Sequence, residues 1–257
     1  MTPPFLDLPQ RSVKPRDRGI THVLDSGLSV AEVESMVEVA GAAVDLVKLG
    51  WGTAVVTGNL DAKLACYRAH EIPVVLGGTL TELAVAQDRV DELIAWLREL
   101  GLRHIEISDG AIDLPHERKL ALIERLAGEG FTVLSEVGSK DAAFIMAPYV
   151  WVEQIRSELA AGACKVIAEA RESGTAGIYR ADGEVRTGLI DEIAHEVPVE
   201  QLLFEAPQKE QQVWFLQRFG HEVNLGNIAP RDVLSLETLR LGLRADTVPA
   251  APPERRG

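Results

Sequence analysis

Short apolar runs alternate along this chain with longer amphipathic stretches. The runs cover residues 20–25, 44–49, 72–76, 104–108, 131–137, 164–168, 202–205 and 223–225. Several are rich in Val and Ile without strict apolar–polar alternation, the pattern of parallel strands covered on both faces. The stretches between them have helical periodicity: Val90, Leu93, Ile94, Leu97 and Leu100 share one face, as do Val30, Val33, Met36, Val37 and Ala40. Ser29-x-x-Glu32 and Thr79-x-x-Glu82 read as capping boxes that start helices, and Pro115 suits another first turn. Gly41, Gly101, Gly130 and Gly162 stand where helices should stop. Eight strand–helix units in this order predict an α/β chain folded as a single (β/α)8 TIM barrel. No GxGxxG follows the first strand, which argues against a doubly wound dinucleotide-binding sheet.

Residues 1–18 are rich in Pro and charge and read as an N-terminal extended segment. Residues 19–247 form the barrel, and 248–257 read as a flexible tail. The whole chain has 257 residues, ample for one large core. Its formal charge is −13, from 26 basic and 39 acidic residues. This excludes a general nucleic-acid binder and disfavours an anionic membrane surface. A small anionic substrate stays open, because a few local cations reverse the potential inside one cleft. Cys66 and Cys164 have neither metal-ligand spacing nor a disulfide framework and read as thiols of a reduced compartment. No apolar run approaches the ~18 residues that span a bilayer, and the N-terminus has no secretory pattern. The expectation is a soluble cytoplasmic protein. The six histidines lack HxH or HxxxH spacing and read as structural, and GxSxG is absent.

In such barrels the chemistry sits at the C-terminal ends of the strands. There the chain places Asp25, Lys48, Gly77-Gly78-Thr79, Glu106 with Ser108-Asp109, Glu136, Glu169 with Arg171, Glu205, and Asn224 with Gly226-Asn227. A carboxylate closes each unit from the fourth to the seventh. Four like charges around one mouth repel unless lysines or a divalent cation join them. Oxygen-only ligands suit Mg²⁺, and Glu106, Glu136 and Glu169 are the expected metal ligands, with Glu205 in reserve. Lys48 reads as a Schiff-base nucleophile, an anion binder, an acid/base, or a salt-bridge partner of a neighbouring Glu. Lys140 follows Glu136 in the loop after the fifth strand, whereas Lys165 begins the sixth and belongs to the opposite face. Arg171 suits bidentate binding of carboxylate or phosphate. The 224–227 loop precedes a helix near Pro230, and Gly226 there admits backbone amides to an oxyanion. The tract at Gly78 is similar.

With these residues laid out, the chain resembles the phosphosulfolactate synthase family. The matching stretches are Lys14-Pro15-Arg16, Lys48-x-Gly50-Trp51-Gly52-Thr53, Gly77-Gly78-Thr79-Leu80, Glu106-Ile107-Ser108-Asp109-Gly110 and Ser135-Glu136-Val137-Gly138-x-Lys140. They continue as Glu169-Ala170-Arg171-Glu172-Ser173-Gly174, Phe204-Glu205-Ala206-Pro207, Val223-Asn224-Leu225-Gly226-Asn227-Ile228 and Gly242-Leu243-Arg244-x-Asp246-Thr247. The resemblance implies a Mg²⁺-dependent lyase that adds sulfite to C3 of phosphoenolpyruvate, giving (2R)-phospho-3-sulfolactate on a route to coenzyme M or another sulfonate. It implies a homo-oligomer with small-molecule partners only. On this reading Lys140, Lys48 and Glu205 are the catalytic set, with Lys140 the acid that protonates C2. Lys14, Arg16, Gly78, Ser108, Arg171, Asn224, Gly226 and Asn227 would bind the anions.

One departure stands out. The family's first strand ends Asp-Lys-Gly, whereas this chain has Asp25-Ser26-Gly27. Either Lys14 or Arg16 replaces the missing cation, or the anionic substrate differs. Distant plant relatives linked to heat tolerance share the fold pattern without all of these motifs. The competing readings are a metal-free Schiff-base aldolase using Lys48 or Lys165, and a non-catalytic, stress-related barrel.

Overall fold

The computed structural model describes residues 5–138, 146–171 and 173–248. Eight parallel strands close into a barrel in chain order, with β8 paired back to β1. They are β1 (Thr21–Asp25), β2 (Leu46–Leu49), β3 (Val74–Leu76), β4 (His104–Ile107), β5 (Thr132–Val137), β6 (Lys165–Ala168), β7 (Leu202–Glu205) and β8 (Leu225–Ile228). The surrounding helices are α1 (Val30–Ala40), α2 (Thr53–Val56), α3 (Leu60–Ala69), α4 (Gly78–Ala86), α5 (Val90–Glu99), α6 (His116–Gly128), α7 (Pro148–Ala160), α8 (Thr187–Glu196), α9 (Lys209–Phe219) and α10 (Val233–Arg240). The expected (β/α)8 architecture is therefore the observed one. Among the described residues no helix is long and apolar enough to cross a membrane.

Seven of the expected runs fall on strands, but the eighth strand begins at Leu225 rather than Val223. The cause is a bulge. Thr21 pairs with Leu225 while Val23 pairs with Ile228, so β8 carries one residue more than β1 across the same span. Asn227 absorbs it with a left-handed backbone, φ 54°. The Ser29–Glu32 capping box is present. The box expected at Thr79 is not: α4 starts at Gly78, and Glu82 turns away to accept from the Ser108 hydroxyl and the Ala111 amide.

Two apolar cores flank the sheet. The larger lies between strands and helices. The smaller fills the barrel interior with Ile20, Leu46, Val75, Leu134, Ile167 and Leu203. Side chains alternate along a strand, so the residue two positions further on faces inward again. That residue is His22, Lys48, Gly77, Glu136, Glu169 and Glu205 respectively. An apolar plug at the N-terminal end thus gives way, one inward step later, to a polar floor at the C-terminal end.

The N-terminal segment braces the underside of the barrel. Arg11 pairs with Glu222 at 2.9 Å and Glu237 at 3.1 Å, and Arg16 pairs with Asp45 at 2.9 Å. Lys14 Nζ donates to the carbonyls of Gly41, at 3.0 Å, and Val44. The expectation that Lys14 and Arg16 reach the substrate is corrected: both serve the junction before β2, at the end opposite the mouth.

Candidate active site

A cleft of about 300 Å³ opens at the C-terminal ends of the strands. Its lining includes Lys48, Gly78, Glu106, Glu136, Glu169, Arg171, Glu205 and Asn227. Lys48 is its centre. The ammonium lies 3.1 Å from Glu106 on β4 and 3.1 Å from Glu205 on β7, with all three side chains buried. Burial alone would push the lysine down. The carboxylates of Glu106, Glu205, Glu136 and Glu169 reverse this and hold it well above its usual range, as an ammonium.

Three of the neighbouring carboxylates each accept from a backbone amide. Gly78 N donates to Glu106 Oε1 at 2.7 Å, and Ala170 N donates to Glu205 Oε2 at 2.9 Å. The Arg171 amide donates to Glu169. Burial raises the Glu205 carboxyl to about 7, with Lys48 opposing the rise and Glu136 adding to it. Burial raises Glu106 too, against the same lysine. Glu136, Glu169 and Glu205 each place a carboxylate oxygen within 4.8 Å of the others. Three hard oxygen donors gathered this closely suit a cation such as Mg²⁺, with small side-chain adjustments closing the set. This set differs from the expected one. Glu205 stands in the cluster where Glu106 was expected, although Lys48 and a backbone amide hold both carboxylates.

The rim is built from strained backbone. Of the non-glycine residues with positive φ among those described, Trp51 (φ 53°), Arg171 (φ 58°) and Asn227 (φ 54°) all line the cleft. Such conformations persist only where the surroundings impose them and they gather at functional sites. Asn227 is also buried, and its Oδ1 has no partner within the protein. Arg171 is exposed at the rim. Gly78 permits a close approach, because a Cβ there would collide with Ser108.

Several expected binding residues lie elsewhere. Asn224 precedes β8 on the underside, where Oδ1 accepts from Ile20 N at 3.0 Å and Nδ2 donates to Glu200 O and Leu202 O at 3.0 and 2.8 Å. Gly226 lies within β8, packed over Leu203 and His22, and does not line the cleft. Ser108 stands behind the wall, its hydroxyl given to Glu82. Lys165 is on the underside as expected, bonded to the carbonyls of Asp17 and Glu200. Lys140 lies outside the described residues.

Two buried lysines escaped the sequence reading. Lys63 on α3 bonds both oxygens of Asp25, at 3.1 and 2.9 Å, and Tyr67 adds its hydroxyl at 2.9 Å. The Gly27 and Leu28 amides complete the set. Asp25 is thereby committed to the outer layer, and Ser26 beside it is exposed. Neither Lys14 nor Arg16 restores a cation here, so Lys48 and Arg171 are the cationic side chains of the cleft among the described residues. The second is Lys119 on α6, buried against Glu158 on α7 at 2.9 Å. For both, the signal was a lysine on the apolar face of its helix, at Leu60-x-x-Lys63-Leu64-x-x-Tyr67 and Lys119-x-x-x-Ile123-x-x-Leu126.

A (β/α)8 barrel with one buried ammonium among four buried glutamates at its mouth belongs to the small-molecule enzymes of this fold. The chain belongs to the (2R)-phospho-3-sulfolactate synthase family, whose model matches residues 9–246. It is 42% identical over 245 residues to the phosphosulfolactate synthase of Methanothermobacter thermautotrophicus, covering 93% of this chain and 95% of that one. The phosphosulfolactate synthase of Bacillus subtilis is also 42% identical over 245 residues, covering 94% and 97%. A plant protein of Arabidopsis thaliana, heat-stress-associated 32, is 24% identical over 261 residues, covering 92% and 90%. Among solved structures, 3-hexulose-6-phosphate synthase superposes with a TM-score of 0.53 at 13% identity, covering 86% of this chain and 98% of that one. That last likeness concerns the fold alone.

Proposed function

We propose that the protein catalyses the Mg²⁺-dependent addition of sulfite to phosphoenolpyruvate, giving (2R)-phospho-3-sulfolactate, as a cytoplasmic lyase working in the carbon–sulfur bond-forming direction for coenzyme M or a related sulfonate. The observation that carries this reading is the contact of the Lys48 ammonium with a three-carboxylate cluster in a small cleft. Names of the relatives point the same way. The substrate carries a carboxylate and a phosphate, and both need positive charge where the chain as a whole is acidic.

Glu136, Glu169 and Glu205 would hold the metal. Bound there, Mg²⁺ supplies positive charge to the substrate carboxylate as electron density moves onto it. Lys48 contributes a fixed ammonium beside the same carboxylates and keeps Glu106 and Glu205 from repelling one another. Arg171 stands at the rim for the phosphate or for sulfite. Asn227 lines the cleft, and its Oδ1 is a buried acceptor without a partner in the protein. The sulfite sulfur forms the bond to C3 with its lone pair, the C2–C3 π pair becomes the bond to a proton at C2, and the phosphate ester stays intact. Lys140 is our candidate for the acid that delivers this proton.

The Schiff-base reading requires a neutral, free amine. Lys48 is instead an ammonium held by two carboxylates, and Lys165 is on the wrong side of the plug. Phosphorus NMR of phosphoenolpyruvate with sulfite and Mg²⁺ tests the proposal. One new phosphate-ester resonance that requires sulfite and disappears with chelator is expected. No sulfite-dependent product with any divalent ion overturns it, and borohydride trapping of a carbonyl substrate would favour the aldolase.

A further inference from the structure

We infer that Lys119 is a positioning residue of the cleft, setting Glu136 and the Ser108-Asp109-Gly110 turn from behind. Lys119 has no solvent exposure, although an ammonium out of water costs several kcal/mol unless its donors are met. They are met on three elements. Nζ donates to the backbone carbonyl of Glu136 at the end of β5, 2.6 Å away. It pairs with Glu158 on α7 at 2.9 Å and with Asp109, in the connection after β4, at 3.3 Å.

The Glu136 carbonyl is one of a set. At the mouth the strand ladder runs out, and each glutamate there has its carbonyl taken by a donor from the outer layer. Thr81 Oγ1 holds Glu106 O at 2.8 Å, and Tyr179 Oη holds Glu205 O at 2.6 Å. Ile178 N holds Glu169 O at 2.9 Å. A hydroxyl or an amide is enough at three of these positions. Only at Glu136 is the donor a buried charge, and that charge also gathers Asp109. A carbonyl fixed in this way fixes the direction of the Cα–Cβ bond, and hence where the carboxylate points. Partners behind a ligand commonly matter 10- to 100-fold to metal affinity.

The inference rests on the metal reading for its binding readout, but its structural readout does not. The test uses the double variant Lys119→Met/Glu158→Gln, which leaves no unpaired charge between α6 and α7, and Glu158→Gln alone, which keeps Lys119 on the Glu136 carbonyl. Mn²⁺ titration calorimetry should give an affinity about tenfold weaker or worse for the double variant and near the parent's for the single variant. A crystal structure of the double variant should show the Glu136 carboxylate displaced by about 1 Å, enough to lower kcat by about a hundredfold. Parental Glu136 and Asp109 positions overturn the inference, as does an equal loss in both variants, which would assign the effect to the ion pair. A parent protein that binds no divalent ion overturns the metal reading instead, and the displacement of Glu136 still decides the role of Lys119.

Discussion

Lys48→Met removes the ammonium at the centre of the mouth while keeping a stem of similar length. In the metal-free protein it leaves Glu106 and Glu205 without the cation that lies 3.1 Å from each. At an effective dielectric near 20, each such contact is worth about 5 kcal/mol of Coulomb energy. Desolvation offsets much of that, and breaking a buried pair by removing one partner costs about 3–5 kcal/mol net. Glu205, raised by burial to about 7, recovers part of the loss by taking up a proton at neutral pH. The lower end, about 3 kcal/mol, is therefore expected, and in a chain of this size it lowers Tm by about 6–12 °C. Divalent cation should then stabilise the variant more than the parent, because it replaces the missing charge. At a hundred times its Kd a ligand adds about 2.7 kcal/mol. Thermal unfolding followed by circular dichroism, in chelator and in Mg²⁺, measures both effects. A variant that melts within about 2 °C of the parent in chelator would refute the reasoning, since the glutamates would then be neutral without help from Lys48.

Asn224→Ala should destabilise the barrel by about 3 kcal/mol, near 1 per lost bond for its three hydrogen bonds. The KM for phosphoenolpyruvate should stay at the parental value, and steady-state kinetics beside urea unfolding separate the two. Trp51→Gly relieves a left-handed backbone that costs a side-chain-bearing residue about 1–2 kcal/mol. With Trp51 56% exposed, the burial it gives up is worth about 2 kcal/mol and roughly offsets that relief, so Tm should change little while substrate KM increases. His22 is held far below the ordinary imidazole value by burial and then by Lys48, so it stays neutral in the fold. The unfolded chain takes up this proton as pH falls below about 6.5, and the parent loses up to about 1.4 kcal/mol per pH unit from that point downward. His22→Leu should remove this slope, so its stability advantage over the parent should grow by about 2 kcal/mol between pH 6.5 and 5; a gap independent of pH in chemical unfolding would contradict it.

The barrel was legible because buried parallel strands need nothing beyond local apolar runs. The mouth glutamates were legible because the strand ends were. Where a boundary slipped, so did the site: the bulge at Asn227 shifts β8, which put Asn224 and Gly226 in a loop they do not occupy. Lys14 and Arg16 were misplaced for another reason, since their partners Gly41, Val44 and Asp45 are distant in sequence and nothing local names them. Lys63 and Lys119 drew no reading from the sequence, although each stands on its helix's apolar face. Whether such a lysine is buried depends on Asp25 or Glu158 arriving from another element. Lys48 reaches Glu106 and Glu205 alike, so the presence of Glu205 rather than Glu106 beside Glu136 and Glu169 is a matter of side-chain geometry that strand ends do not reveal.

The apolar plug of Ile20, Leu46, Val75, Leu134, Ile167 and Leu203 closes the cleft from below. On the proposed reaction, both substrates and the product would pass through the open end among the described residues. The anion seated nearer Lys48 would have to arrive before the other and could not leave while its companion stood at Arg171. The kinetic scheme expected of that arrangement is a compulsory order of addition, in which the outer ligand, added in excess, traps the inner one.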